Sequence, residues 1–554
     1  TGLGAQPGDR VAILSENRPE WAIADFACLT ARLTDVSIYP TLPAAQVEYV
    51  LRDSGATVIF VSSAEQAAKI SAVRDRLPAL KHMISFDALA SDQAQFSFAE
   101  LERLGAQDDG DDAAAQHRAG ALRVKPNDLA TLIYTSGTTG EPKGVALTHD
   151  NIFSNVAAAR AVVDFRGTDV GLSFLPLSHI FERMAGHYLM FATGTSIAYA
   201  QTIDSVPQNM LEVRPTIMVS VPRLYEKMYA RVLENATSGG TVKRGIFTWA
   251  RKVGEEWANV KLAGDKPSAT LGAQYTLAQR LVFSKLQQRT GGRLRFFVSG
   301  GAPLSPEINK FFYAAGLMIL EGYGLTETSP VLTVNTPHAF RIGTVGTPLA
   351  GVSVAIAEDG EILARGPNVM VGYFNKPDAT ADAIDADGWF HTGDIGELHD
   401  GFLSITDRKK DLIVTAGGKN IAPQPIENRI ALNKYVSQAV VIGDKRRFPI
   451  VLVVPDFEQL ERWASYKRIE WSDRAQLIWL PEVIEKMERE VLGPLSDLAH
   501  FETPKKVALL PTELSLERGE LTPTLKVKRR SVEQHYRALI DALYAAPAHD
   551  STAY

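Results

Sequence analysis

The first sixty residues alternate between short apolar runs and amphipathic stretches, and this rhythm restricts the fold more than any other feature of the chain. Arg10–Leu14 (RVAIL) reads as a short strand. Asn17-Arg-Pro19 then opens a helix, because proline fits the first helical turn, where its missing N–H costs nothing. Residues 36–39 and Val58–Val61 read as further strands, with a helical stretch near 44–52 between them. Such βαβα alternation predicts a parallel sheet covered by helices. Later strand candidates are 172–175, 195–199, 217–221 and 296–298.

At 554 residues the chain exceeds what one core organises, so two or more domains are expected. The pattern changes after about Arg408. Residues 438–442 and 450–454 read as a hairpin joined by GDKRRFP, and helices such as Pro481–Leu492 follow. The expected class is α/β: a large N-terminal domain of helix-covered, mainly parallel sheets (1–407), then a small, mobile α+β domain (408–554). No internal repeat is visible. Residues 545–554 read as disordered.

A net charge of −6 gives no basic footprint, which argues against a nucleic-acid partner. A single cysteine, Cys28, allows no intrachain disulfide and fits a reducing, cytoplasmic setting. Its place in an apolar run marks it as core. No apolar run is long enough to span a bilayer. The opening TGLGAQPGDRVAIL reads as loop then strand, so an upstream segment is expected.

Asp108, Asp109, Asp111 and Asp112 lie in an Asp/Ala/Gly-rich stretch, 105–124, read as a solvated linker in preference to a metal site. In 243–261, Ile246, Trp249, Val253, Trp257 and Val260 recur at helical spacing among Lys243, Arg244, Arg251 and Lys252. A membrane-surface helix is one reading, giving peripheral contact at the inner face of a membrane. A helix packed on the main body is the other, favoured by Glu255 and Glu256.

The densest chemistry is at residues 134–144, YTSGTTGEPKG. Two hydroxyl-glycine turns and a lysine expose backbone N–H groups, hydroxyls and a cation, as an anion cradle requires. The preceding run 129–134 (LATLIY) reads as a buried strand, so the loop leaves a strand end. No Gly-Lys-Ser/Thr follows at the spacing of a Walker loop.

Four segments downstream add to it. SGGAP at 299–303 follows a strand and suits a flat ring lying on backbone, although a sheet-edge turn explains it equally well. EGYGLTETSP at 321–330 offers Tyr323 as an aromatic face, Thr326 as a phosphate donor and Glu327 as an oxygen ligand for Mg²⁺. GWFHTGDIG places Asp394 between glycine turns, where two acceptor oxygens suit a ribose diol; DRKKD at 407–411 adds Arg408. LTPTLKVKRR at 521–530 carries a lysine on a Pro-flanked loop that could neutralise developing phosphate charge.

In this order the motifs resemble the adenylate-forming (AMP-binding) superfamily, and within it the long-chain fatty-acid–CoA ligases. The resemblance runs from Arg10 to Arg530. It implies a two-step reaction: a carboxylate attacks the α-phosphate of Mg·ATP to give acyl-adenylate and pyrophosphate, and after the small domain swings, CoA takes the acyl group. Thr135, Ser136, Gly137, Thr138, Thr139, Gly140 and Lys143 are implied to hold the β/γ-phosphates. Gly301, Ala302, Pro303 and Tyr323 frame adenine, Thr326 contacts phosphate, Glu327 holds Mg²⁺, and Asp394 and Arg408 bind ribose. Asp407 is the implied hinge and Lys526 the adenylation lysine. Many relatives have Ser-Gly-Lys where this chain has Thr524-Leu525-Lys526; the trailing Arg529-Arg530 favours Lys526 over Lys528.

Gly417, Gly418 and Lys419, in AGGKN, resemble the segment lining the CoA thiol's approach. LPLSHIFER and VPRLYEK resemble acyl-tunnel segments, with His179 and Tyr225 as gate residues; a core role for His179 is the alternative. A fatty-acyl-AMP ligase loading a carrier protein is the nearest rival reading, but no obvious insertion of that kind is seen. A non-catalytic lipid- or nucleotide-binding relative is disfavoured by the joint presence of Lys526, Glu327 and Asp394.

Overall fold

The computed structural model describes residues 3–90, 93–107, 111–135, 141–237, 240–515, 517–522 and 527–545. Two compact units form. The first comprises Thr1–Ala357, Leu363–Thr392 and Leu398–Ser404; the second comprises Glu358–Ile362, Gly393–Glu397 and Ile405–Tyr554.

The first unit holds the expected α/β layers. Its eight-stranded sheet runs Gly372–Tyr373, Lys143–Thr148, Leu129–Thr135, Thr34–Ile38, Arg10–Leu14, Val58–Val61, His82–Ser85, Phe96–Ser97. Arg10–Leu14 pairs in parallel with both Thr34–Ile38 and Val58–Val61. Pro19 is the first residue of the helix Pro19–Thr30, which buries Trp21, Ala24, Asp25 and Cys28 against the sheet. The sheet departs from parallel where Leu129–Thr135 turns back on Lys143–Thr148, an antiparallel hairpin.

A seven-stranded sheet runs Thr347–Pro348, Val331–Val334, Met318–Gly324, Phe296–Ser299, Ile217–Ser220, Val170–Ser173, Ser196–Tyr199. Its five strands from Met318–Gly324 to Ser196–Tyr199 are parallel, so their carboxyl ends share one edge. Beneath the sheets lies a polar knot. Fully buried Arg183 pairs with Asp25 and with Asp35 (2.8 Å), and donates to Tyr188 Oη and Thr131 Oγ1, each at 2.8 Å.

The acidic stretch is a correction. Instead of a solvated linker, helices Phe98–Gln107 and Asp111–Ala121 flank residues 108–110. Ala113, Ala114 and Ala115 are strong helix formers, and an aspartate in the first turn complements the helix dipole. Asp108 and Asp109, two of the four carboxylates of the metal alternative, lie outside the described residues.

In the second unit Val436–Ile442 and Ile450–Pro455 form the expected antiparallel hairpin, and Val507–Leu509 joins in parallel. The apolar residues of both hairpin strands fill the core, covered by the helices Phe457–Lys467 and Pro481–Leu492. Of the terminal stretch read as disordered, Ala545 ends the helix Arg537–Ala545, and 546–554 lie outside the described residues. No helix among the described residues is long and apolar enough to cross a membrane.

Candidate functional site

The shared carboxyl edge of the seven-stranded sheet gathers motifs far apart in sequence. Strand Val170–Ser173 feeds the His179 segment, Ile217–Ser220 feeds the segment with Tyr225, Phe296–Ser299 feeds SGGAP, and Met318–Gly324 runs into Glu327. Ligands of open α/β sheets bind beyond such strand ends.

Local geometry explains the glycines there. Gly301 has φ +80°, a region that side chains disfavour, and Ala302 and Pro303 beside it are exposed. A Cβ on Gly324 would lie 1.7 Å from the carbonyl oxygen of Pro330, so only glycine lets the strand bulge after Tyr323 and turn. The turn Thr326–Thr328 follows, closed by Leu325 N–H donating to Thr328 Oγ1 at 2.9 Å. Thr326 is half-buried and Tyr323 buried.

Three side chains meet at the hairpin base. Lys143 opens the return strand, its ammonium 4.6 Å from the centre of the Tyr373 ring. The Tyr373 hydroxyl donates to Oε1 of Glu327 at 2.9 Å. Burial, reinforced by the Glu327 charge, pushes that hydroxyl above the ordinary phenol range and keeps it a donor. The hairpin is braced from beneath: Tyr134 Oη donates to Asp53 at 2.6 Å, and Tyr49 Oη to the Pro142 carbonyl at 3.0 Å. Thr135 pairs with Lys143 across the strands. Ser136, Gly137, Thr138, Thr139 and Gly140 lie outside the described residues, as does Lys526.

His179 accepts the Phe181 N–H at Nδ1 (3.1 Å), and the Phe181 ring lies over Gly300, where a Cβ would approach it to 2.9 Å. Tyr225 is fully buried, edge-on to Phe297 and Phe312 at 5.2 and 6.0 Å.

The second unit carries its own constellation. Asp394 is buried, and Arg408 Nε lies 3.3 Å from its Oδ1. Lys409 bridges Asp359 (2.6 Å) and Glu361 (3.0 Å), fixing the segment that presents Arg408. Asp407 accepts the Arg408 N–H at 2.6 Å while its Oδ2 has no hydrogen-bond partner among the described residues. Burial pushes its carboxyl up to about 6. Gly418 has φ +73° in the turn between Ile413–Val414 and Asn420–Ile421, and Lys419 stands 5.6 Å from the Phe501 ring centre. Lys528 donates its backbone N–H to Glu520 O at 2.7 Å.

The family model for AMP-binding enzymes matches residues 1–374, and that for the AMP-binding enzyme C-terminal domain matches 410–548. The chain belongs to the AMP-binding enzyme family. It is an adenylate-forming acid–thiol ligase. This AMP-binding enzyme is 39% identical over 546 residues to the long-chain-fatty-acid–CoA ligase FadD15 of Mycobacterium tuberculosis, covering 98% of this chain and 89% of the relative. It is 34% identical to long-chain-fatty-acid–CoA ligase 1 of Cavia porcellus, covering 98% and 79%. Its fold matches ATP-bound MatB from Rhodopseudomonas palustris (TM-score 0.66, 24% identity, 97% and 90% covered). It also matches the anthranilate CoA ligase AuaEII in complex with anthranoyl-AMP (TM-score 0.69, 19% identity, 98% and 90% covered).

Tyr373 is the site residue that sequence reasoning missed. Its only local signal is an apolar run ending in Gly-Tyr, and nothing in that run points 46 residues back to Glu327.

Proposed function

We propose that this AMP-binding enzyme uses ATP and Mg²⁺ to activate a long-chain fatty acid as acyl-AMP and then transfers the acyl group to CoA. The observation that carries the adenylating role is the link Lys143–Tyr373–Glu327, which holds a phosphate-seeking cation and a metal-seeking carboxylate on one tyrosine. The names of relatives covering 98% of the chain favour a long-chain acid and CoA.

In the first step a carboxylate oxygen attacks the α-phosphorus, and the bond to the bridging oxygen breaks to release pyrophosphate. Such a displacement needs positioning and charge neutralisation more than covalent help. Lys143 and the loop 135–140 hold the leaving phosphates. Gly301, Ala302, Pro303 and Tyr323 frame adenine, Thr326 contacts the phosphate, and Asp394 with Arg408 engages the ribose. Lys526 neutralises charge at the reacting carboxylate, Asp407 is the hinge, and Gly417–Lys419 with His179 and Tyr225 serve the thiol and acyl chain. A single half-buried carboxylate at Glu327 fits Mg²⁺, which takes one or two carboxylates and completes its shell with phosphates and water. The ion would supply Lewis-acid neutralisation of phosphate charge. In the second step the thiolate attacks the acyl carbon and AMP leaves.

Carboxylates from acetate to long-chain acids, offered with ATP and Mg²⁺, with and without CoA, test this reading. AMP release and thioester with long-chain acids is the expected result. Acyl-AMP that accumulates with CoA present and yields no thioester would overturn it.

A further inference from the structure

The long helix Gly240–Leu262 has two different halves. From Ala250 onward it buries Ala250, Val253, Gly254 and Ala258. Before Ala250 it buries nothing: Val242 is 75% and Ile246 40% exposed, and Trp249 is half-buried. Val242, Ile246, Trp249 and Val253 recur at helical spacing, so the exposed apolar residues continue the stripe that packs further along. The sequence alternatives therefore divide between the two halves, the rear one packed on the body and the front one largely exposed.

Charge along this front half has one sign. Residues 240–254 contain Lys243, Arg244, Arg251 and Lys252 and no acid, in a chain whose net charge is −6. The neighbouring rod, Ala269 to Arg289, packs antiparallel, with Trp257 stacked on Tyr275 at 4.0 Å and Gly254 against the Phe283 ring. It too lacks any acid and exposes Arg280, Lys285 and Arg289 beside Leu277 (49% exposed) and Leu281 (42%). Among acids on adjoining helices, Glu307 is paired with Arg251, and Glu226 and Glu234 lie on Pro222–Thr237. Glu255 and Glu256 follow within the rear half.

Cations interleaved with exposed aliphatic side chains suit a surface that is anionic at its rim and apolar beneath. We propose that the front half of this helix and the adjacent rod dock the enzyme on a bilayer bearing anionic headgroups, with Val242 and Ile246 entering the headgroup–acyl boundary. A nucleic acid would meet the cations but leave these aliphatic side chains without a partner. Docking stands on this surface alone; only its benefit, access to a membrane-dissolved acid, rests on the proposed fatty-acid substrate.

Co-sedimentation of the full chain with unilamellar vesicles tests this, comparing phosphatidylcholine alone with a phosphatidylcholine–phosphatidylglycerol mixture. Binding is expected to be at least about tenfold stronger on the anionic vesicles and to fall about fivefold for each cation reversed in Lys243→Glu and Lys252→Glu. Val242→Asp with Ile246→Asp is expected to abolish binding while preserving the circular dichroism and the rate with a short, water-soluble acid, since both side chains are exposed. Equal binding to the two vesicle types would overturn the proposal. So would unaltered binding by the variants, or a concentration-dependent dimer, seen by sedimentation velocity, that the apolar substitutions disperse. Vesicle binding is read without turnover, so failure of the fatty-acid reading would leave this result distinguishable.

Discussion

The Tyr373 hydroxyl donates to Glu327 Oε1 at 2.9 Å while the ring of the same tyrosine lies beneath Lys143. One side chain thus sets the positions of two opposite charges that reach it from separate elements. The hydroxyl and the ring act independently, and substitutions can separate them.

Tyr373→Phe removes the hydrogen bond and keeps the ring. A hydrogen bond to a charged group contributes about 1.5–3 kcal/mol, so adenylation is expected to slow roughly ten- to a hundredfold. Its half-saturating Mg²⁺ concentration should rise, because the carboxylate loses its orientation. Pyrophosphate release across a Mg²⁺ titration checks this; unchanged Mg²⁺ dependence with normal folding would remove Tyr373 from the site.

Lys526→Ala is expected to lower adenylate formation by about a hundredfold or more, the scale for loss of a charge-stabilising group in a reacting site. Lys528→Ala should retain most activity. Fatty-acid-dependent exchange of pyrophosphate into ATP distinguishes the two. The reverse ranking would move the role to Lys528.

Glu182 is buried, its Oε2 has no hydrogen-bond partner among the described residues, and burial pushes its carboxyl up to about 8. The folded state keeps a proton that the unfolded chain loses near pH 4.5, so this group's contribution becomes less favourable as pH rises through about 8. The accumulated cost is on the order of 5 kcal/mol. Glu182→Gln should therefore flatten the fall in thermal midpoint between about pH 5 and pH 9. Parallel profiles for the two proteins would show that Glu182 does not titrate there.

Arg183→Met leaves Asp25 and Asp35 facing each other in a dry interior. Breaking a buried pair from one side costs about 3–5 kcal/mol, and urea unfolding should show a loss of that size. Adding Asp25→Asn and Asp35→Asn should restore part of it, a coupling that simple loss of arginine packing would not produce.

The strands were legible because each is a short apolar run bounded by turn residues. Arg10–Leu14 and Val58–Val61 coincide with their expected limits, and Thr34–Ile38 begins two residues earlier than read. The EGYGLTE and SGGAP segments gather at one sheet edge because their two strands pair in parallel, a neighbourhood that neither segment announces in sequence. Helices on either side of Asp108–Gly110 were obscured because alanines and aspartates also compose linkers, and composition carries no direction. Tyr373 and the Asp25–Arg183 pair were invisible for another reason: each joins residues far apart in the chain, 158 positions in the second case, and leaves no periodic trace.

The second unit is assembled from three stretches of chain, and the two short ones, Glu358–Ile362 and Gly393–Glu397, supply Glu361 and Asp394 to Lys409 and Arg408. A fragment begun at residue 410, where the C-terminal family match starts, would carry neither Arg408 nor Lys409 nor their partners. Shuffling this module between homologues is therefore a three-segment graft. Single-crossover hybrids made at that position keep both acids and both cations from the N-terminal parent and join them to residues 410 onward of the other.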